Sequence, residues 1–190
     1  MLKLASILIT CTVVFYGVAD SCTITCPALW ENFDGSCYRL FRRSLTFNDA
    51  EQACQSHKVV VCGGDELTKG HLASVHSPRE QGFLEDLVTG SLTGTFTCDT
   101  KVYIGRQVGD SIEDQTWTDG SPNDYSDWKI GHPAHFPNSR GTITAGACID
   151  TGGEWDDIHP ESRNYYICKL PCVEYRVYYA PGKDEEQKPE

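Results

Sequence analysis

The residues with the clearest chemical potential are cysteines. The 190-residue chain has ten, and thiols at that density form disulfides in an oxidising compartment. Cys11 lies in a segment with the marks of a secretory leader. Met1 and Lys3 give a basic start, residues 4–18 are mostly apolar, and Gly17-Val18-Ala19 is a small-x-small cleavage signature. That apolar run is shorter than the ~20 residues needed to span a bilayer. Residues 1–19 are therefore expected to be a signal peptide, and the mature protein to be secreted, extracellular and not membrane-spanning. Nine cysteines follow: Cys22, Cys26, Cys37, Cys54, Cys62, Cys98, Cys148, Cys168 and Cys172. An odd number leaves at least one thiol free or bonded to another chain. Paired C-x-x-C knuckles are missing from the spacing, so structural zinc is not expected.

Catalytic constellations are missing too. The sequence has no Gly-x-Ser-x-Gly elbow, no His-Glu-x-x-His and no phosphate-binding glycine loop. Its carboxylates fall in turn-like stretches, and the chain is not expected to be an enzyme. The formal charge is −11, and the leader removes only one charged side chain, Lys3. Nucleic acid is excluded as a partner, because an acidic chain repels a phosphate backbone.

Several elements would have to position whatever site exists. Residues 26–37 resemble a small stapled hairpin leading into a strand at Cys37-Tyr38-Arg39-Leu40-Phe41. Thr46-Phe47-Asn48-Asp49 resembles a helix N-terminus, with Phe47, Ala50, Ala53 and Cys54 at roughly helical spacing. Residues 59–70 read as a loop. A second helix is better marked: Ser77 suits the N-cap, Pro78 the first helical position, and Glu80 completes a capping box. Phe83, Leu84, Leu87 and Val88 form its apolar stripe, and Gly90 ends it. Strands are expected at 102–105, 147–150, 154–158, 165–169 and, with partial alternation, 173–179. Residues 107–146 show no strong period. A loop of such length inside a compact domain tends to be functional. Residues 180–190 read as a charged, disordered tail.

Taken in order, certain pieces are recognisable together. They are Cys37-Tyr38-Arg39-Leu40-Phe41, Ala53-Cys54-Gln55-Ser56, His71-Leu72-Ala73-Ser74-Val75 and Tyr103-Ile104-Gly105. Trp117-Thr118-Asp119-Gly120-Ser121-Pro122, Tyr125, Trp128, Trp155-Asp156-Asp157 and Tyr165-Tyr166-Ile167-Cys168-Lys169 complete the set. The chain resembles the C-type lectin-like domain, in particular the echinoidin-type lectins of echinoderms. The resemblance covers residues 26–172, leaving 20–25 as an N-terminal segment and 173–190 as a C-terminal strand and acidic tail. It implies an α+β fold, two helices flanking short antiparallel sheets, with the long loop as a separate lobe carrying the ligand site. Trp117, Trp128 and Trp155 are expected to pack as core in that lobe.

The resemblance also implies a sugar-binding calcium at the loop tip. Its ligands would come from a Glu-Pro-Asn or Gln-Pro-Asp triplet, an acidic residue before the loop's closing cysteine, and a Trp-Asn-Asp motif. This chain departs from that set. The triplet position reads His132-Pro133-Ala134, and Gly146 stands in the acidic position. Only Asp156 and Asp157 remain. Calcium wants 6–8 oxygens, so as a cofactor it is expected to bind weakly or not at all. Pro133 is still expected cis, as in the family, since an X-Pro bond tolerates cis at a cost of about 1 kcal/mol. Three readings of the tip stay open: a lost site with Asp156 and Asp157 merely solvated, calcium rebuilt with replacement ligands such as Asn138 or backbone carbonyls, or a metal (zinc or copper) or pH switch using His132, His135 and His159 with Asp156 or Asp157. An auxiliary calcium site would fall on Asp110, Glu113 and Asp114, where a solvated acidic turn is the expected alternative.

For the cysteines, the resemblance implies Cys26–Cys37 and Cys54–Cys168. Eight helical residues past Cys54 rise about 12 Å and four extended residues past Cys168 about 13 Å, so Cys62–Cys172 can close if those segments run side by side. The family's other bridge, from Cys148 to a cysteine just after the Trp-Asp-Asp motif, meets Pro160 and cannot form in its usual way. Cys98 and Cys148 either pair or stay apart, and Cys22 is the candidate for a disulfide-linked homo-oligomer. The implied function is a recognition lectin of body fluid, binding microbial or self glycans or glycoproteins and oligomerising for avidity. The alternatives are a calcium-independent domain that binds a protein, lipid or mineral partner, and an adhesive protein assembling through Cys22 or the strand at 173–179.

Overall fold

The computed structural model describes residues 26–60, 67–91, 100–111, 113–134, 137–144 and 153–171. The leader, Cys22, Cys62, Cys98, His135, Gly146, Cys148, Cys172 and the strands and tail expected at 147–150 and 173–190 lie outside them. Strand β2 (Ser36–Leu45) pairs antiparallel with β10 (Asn164–Leu170), from Cys37 opposite Leu170 to Leu45 opposite Asn164. The two ends of the domain thus close on each other. Beyond β10 lie β6 (Lys101–Val108), β8 (Arg140–Thr144) and β9 (Trp155–Ile158). β1 (Glu31–Phe33) flanks β2, β5 (His71–Leu72) attaches to β10, and β7 (Gln115–Trp117) attaches to β6.

The alternation of side chains along these strands decides where the helices go. On β6, Val102 and Ile104 face one apolar cluster, together with Leu84, Leu87 and Val88 of α2 (Pro78–Ser91). Tyr103 between them faces the other cluster, with Phe47, Ala50 and Cys54 of α1 (Phe47–Gln55). On β10, Ile167 faces the α2 side, and Tyr166 and Cys168 face the α1 side. The sheet therefore lies between the two helices, and α+β is the class. The disulfide Cys54–Cys168 ties α1 to β10, and Cys26–Cys37 ties the first turn to β2.

Both helix starts follow from their caps. Thr46 Oγ1 accepts the Asp49 backbone N–H at 3.3 Å. Ser77 Oγ accepts the Glu80 N–H at 3.1 Å, and the Glu80 carboxylate reaches back to the His76 N–H at 2.8 Å, one residue beyond the usual box partner. The buried face of α2 differs from the expected stripe. Leu84, Leu87 and Val88 are buried, but so are Glu80 and Gln81, while Phe83 sits half-buried and stacks on Phe33 at 4.6 Å. The helix also runs one residue past Gly90, to Ser91.

Three further expectations are corrected. Residues 59–70 do not form a simple loop, because β3 (Lys58–Val60) and β4 (Leu67–Lys69) pair antiparallel there. The stretch 107–146 contains β7 and β8. β8 reads Arg-Gly-Thr-Ile-Thr, is flanked by strands on both edges, and buries its Gly, Thr and Ile alike, so no alternation announces it. Finally, β6 and β10 pair parallel, Tyr165 opposite Val102 and Tyr166 opposite Tyr103. The long excursion between them supplies the crossover that a parallel pair requires.

Gly105 lets the lobe's base approach the sheet. A Cβ there would meet the Leu72 carbonyl at 2.7 Å and Thr118 Oγ1 at 2.8 Å. Its N–H donates to Ala73 O at 2.8 Å, and its carbonyl accepts from Thr118 N at 3.0 Å. The turn that follows is pinned by Asp119, which accepts from Ser74 Oγ (2.6 Å), Ser121 N (2.9 Å) and Ser121 Oγ (2.5 Å). Burial works to raise the Asp119 pKa, but these bonds and the Lys169 charge outweigh it and hold the carboxyl below its ordinary value. A carboxyl depressed in the folded state contributes stability that is complete above about pH 4 and lost as pH falls through the folded pKa. Urea unfolding between about pH 5 and pH 2 is expected to show this loss, and Asp119→Asn to flatten it. An unchanged slope in the variant would show that Asp119 is not a contributor.

Candidate functional site

The lobe is built on Trp155. Its ring is fully buried and met edge-on by Trp117 (5.4 Å), Trp128 (5.6 Å) and Tyr125 (5.8 Å). The indole Nε1 donates to Gln81 Oε1 at 2.8 Å, and Gln81 Nε2 donates to Gly153 O at 2.5 Å. Arg106 lies over the Trp117 and Trp155 rings at 4.8 and 5.6 Å, with Nε and Nη2 donating to Gln115 Oε1. Burial pushes this guanidinium's pKa down to about 10. The tryptophans therefore pack as core, as their residue types suggested.

From this base one segment reaches the tip. Trp155 N donates to Asp127 O (2.7 Å) and Lys129 N donates to Trp155 O (2.9 Å), so residues 127–129 run along β9. A turn follows, closed by His132 N on Lys129 O at 2.8 Å. Gly131 takes φ +85, a left-handed conformation that suits a residue without Cβ. Ile130 is held out from the turn at 95% exposure. The His132–Pro133 bond is cis.

That geometry brings His132 onto the two carboxylates. Its Nδ1 lies 2.9 Å from Asp156 Oδ1 and 2.8 Å from Asp157 Oδ1. Carboxylate oxygens only accept, so Nδ1 carries the proton and donates. Ala134 N donates to Asp157 Oδ1 at 2.7 Å. The Lys101 ammonium, from the first residue of β6, pairs with Asp156 Oδ2. Burial works to raise the Asp157 pKa, yet the Ala134 N–H, the His132 ring and Ser139 together hold it below the ordinary carboxylate range.

His132, Asp156 and Asp157 each offer a ligand atom within 4.8 Å of the others, and among the described residues no other such group forms. Asn138 is not part of it. That residue sits exposed in the turn before β8 at φ +61, with its N–H on Gly109 O at 3.2 Å. His159 accepts the Glu161 N–H within its own turn at 3.3 Å. Asp110, Glu113 and Asp114 form an exposed acidic turn between β6 and β7, closed by Gly109 N on Asp114 O at 2.6 Å.

Calcium takes 6–8 oxygens at about 2.3–2.6 Å. Here three of the four carboxylate oxygens already accept from the protein's own N–H groups. Ala134 turns a donor toward the site, and His132 supplies nitrogen. This donor set does not fit calcium. Lys101, the group that sequence reasoning passed over, is decisive, and nothing local marks it. It lies 55 positions before its partner.

A sheet between two helices, closed end to end and carrying a long-loop lobe with a cis-proline tip, defines the C-type lectin-like class. The family model for the lectin C-type domain matches residues 43–170, and the chain belongs to that family. Echinoidin of Heliocidaris crassispina is 36% identical over 78% of this chain and 99% of its own length. The alpha-N-acetylgalactosamine-specific lectin of Patiria pectinifera is 29% identical over 84% of this chain and 94% of its own. Among solved structures, CEL-IV superposes with a TM-score of 0.71 at 48% identity, covering 80% of this chain and 98% of that one.

Proposed function

We propose that this chain is a secreted recognition protein that binds carbohydrate, as glycans or glycoproteins, through the lobe tip and without calcium. The observation that carries the reading is the fixed turn at Lys129–His132, which sets the exposed Ile130 beside the His132–Asp156–Asp157 cluster. A tip with an exposed apolar side chain and adjacent polar groups is suited to a sugar, which offers hydroxyls and an apolar face. The relative whose name specifies alpha-N-acetylgalactosamine supports a glycan ligand. Each site is expected to be weak, and linkage of copies through Cys22 would raise avidity. A non-reducing gel on the secreted protein reads that linkage directly.

The test is a glycan array run on disulfide-checked protein in calcium and again in EDTA. The expected result is glycan binding that persists in EDTA. Loss of binding in EDTA would show that calcium is needed and that the donor-set reading is wrong. Binding to no glycan would favour a second reading, a calcium-independent domain for a protein, lipid or mineral partner. That reading is favoured by the neutralisation of Asp156 by Lys101. Ile130→Ala is expected to change unfolding stability by no more than about 0.5 kcal/mol, since the side chain touches solvent, while weakening ligand capture on the same array. Unchanged capture would remove Ile130 from the ligand surface.

A further inference from the structure

We infer that Lys101 is a built-in replacement for a divalent cation at the lobe tip, and that its removal unmasks a transition-metal site on His132, Asp156 and Asp157. The inference concerns the same tip but is independent of which ligand the tip binds, because its test reads metal and not glycan.

Two adjacent carboxylates with side chains 16% and 0% exposed repel each other and are stabilised by positive charge nearby. In this chain that charge comes from within. The Lys101 ammonium takes Asp156 Oδ2, and the His132 Nδ1–H bridges Asp156 Oδ1 and Asp157 Oδ1. Ala134 N–H adds a third donor, on Asp157 Oδ1. Lys101 is only about a quarter exposed and Asp156 less, so their attraction is screened less than that of a surface pair. The partners come from separate parts of the chain: β6 gives the Lys101 donor, the turn gives the His132 donor, the residue after Pro133 gives the Ala134 donor, and β9 gives both accepting carboxylates. The five groups thus fasten the tip to the sheet, as a bound ion would.

A metal ion entering this cluster would meet a fixed ammonium on one of its ligands. Without that ammonium, one imidazole nitrogen and two carboxylates remain, with ligand atoms within 4.8 Å of one another. Nitrogen with carboxylate oxygen suits zinc and not calcium. A ring that ligates through Nδ1 carries its proton on Nε2.

Isothermal titration with zinc chloride, and separately with calcium chloride, tests this on the disulfide-checked full chain. The wild-type protein is expected to show no metal binding that Asp156→Asn removes. Lys101→Ala is expected to bind zinc at least tenfold more tightly than wild type, and Lys101→Ala/Asp156→Asn to lose that gain. Lys101→Arg keeps a cation in place and is expected to gain nothing. Lys101→Met, which retains an apolar stem, serves if the alanine variant does not fold, with far-UV circular dichroism and tryptophan fluorescence reporting the fold. Wild-type binding of zinc or calcium that Asp156→Asn abolishes would overturn the inference. So would a folded Lys101→Ala or Lys101→Met protein with no zinc gain.

Discussion

Trp155→Ala is expected to lower the unfolding free energy by about 3–5 kcal/mol, the cost of deleting a fully buried large aromatic. The residue is the one on which Trp117, Trp128 and Tyr125 all converge, and edge-to-face pairs contribute beyond area alone. The substitution also leaves Gln81 Oε1 buried without its indole donor, a loss of about 1–3 kcal/mol by itself. Trp155→Phe separates the two causes. It keeps an aromatic ring and removes the donor, so it is expected to cost less than the alanine variant but still at least about 1 kcal/mol. Urea unfolding of oxidised protein, followed by far-UV circular dichroism, measures both. A cost under about 1 kcal/mol for Trp155→Ala would mean that the lobe is not anchored through this ring.

Glu80→Ala is expected to be of similar size, about 3–5 kcal/mol, because removing one partner of a buried pair strands the other. Glu80 Oε1 accepts from Tyr38 Oη at 2.5 Å and from Lys169 Nζ at 2.7 Å, and its Oε2 accepts the His76 N–H. Three elements, β2, β10 and the start of α2, therefore meet on one carboxylate. Burial, with the neighbouring carboxylate second, pushes the Tyr38 phenol well above its ordinary pKa, so it stays a donor. Loss of Glu80 leaves the Lys169 ammonium without its ion-pair partner, hydrogen-bonded to Ser74 and over the Tyr38 ring. Replacing both, as Glu80→Leu/Lys169→Met, is expected to recover much of the cost, since an apolar pair of similar volume needs no charge desolvation. Equal losses in the single and double variants would show that packing, and not the stranded charge, carries the effect.

These two sites show where sequence reading reached and where it stopped. Ser77-Pro78-Arg79-Glu80 marked the start of α2 because capping is a contact between residues three apart, which spacing records directly. The same Glu80 also ends a network reaching Lys169, 89 positions away, and spacing carries nothing of that. Gln81 lies outside the apolar stripe that spacing marks, and Trp155, 74 positions later, supplies the indole N–H that makes its burial tolerable. Phe83, expected in the buried stripe, lies at its rim, half-buried and stacked on Phe33 of β1.

The candidate site divides in the same way. The residue types at 132, 133, 134, 156 and 157 were legible as they stand, and side chains without oxygen, such as those of Pro133 and Ala134, cannot become calcium ligands in any fold. The sequence also marked the strands at β6 and β10, whose short apolar runs suit burial on both faces, and the class of the domain. Only the tertiary structure decided what surrounds the two carboxylates. It ran β6 parallel to β10, added β8 from residues with no alternation of their own, and so carried Lys101 to Asp156 while the Lys129–His132 turn carried His132 to both carboxylates. Covalent chemistry and local spacing are written along the chain. Electrostatic pairing depends on distance through space, which only the completed sheet and lobe fix.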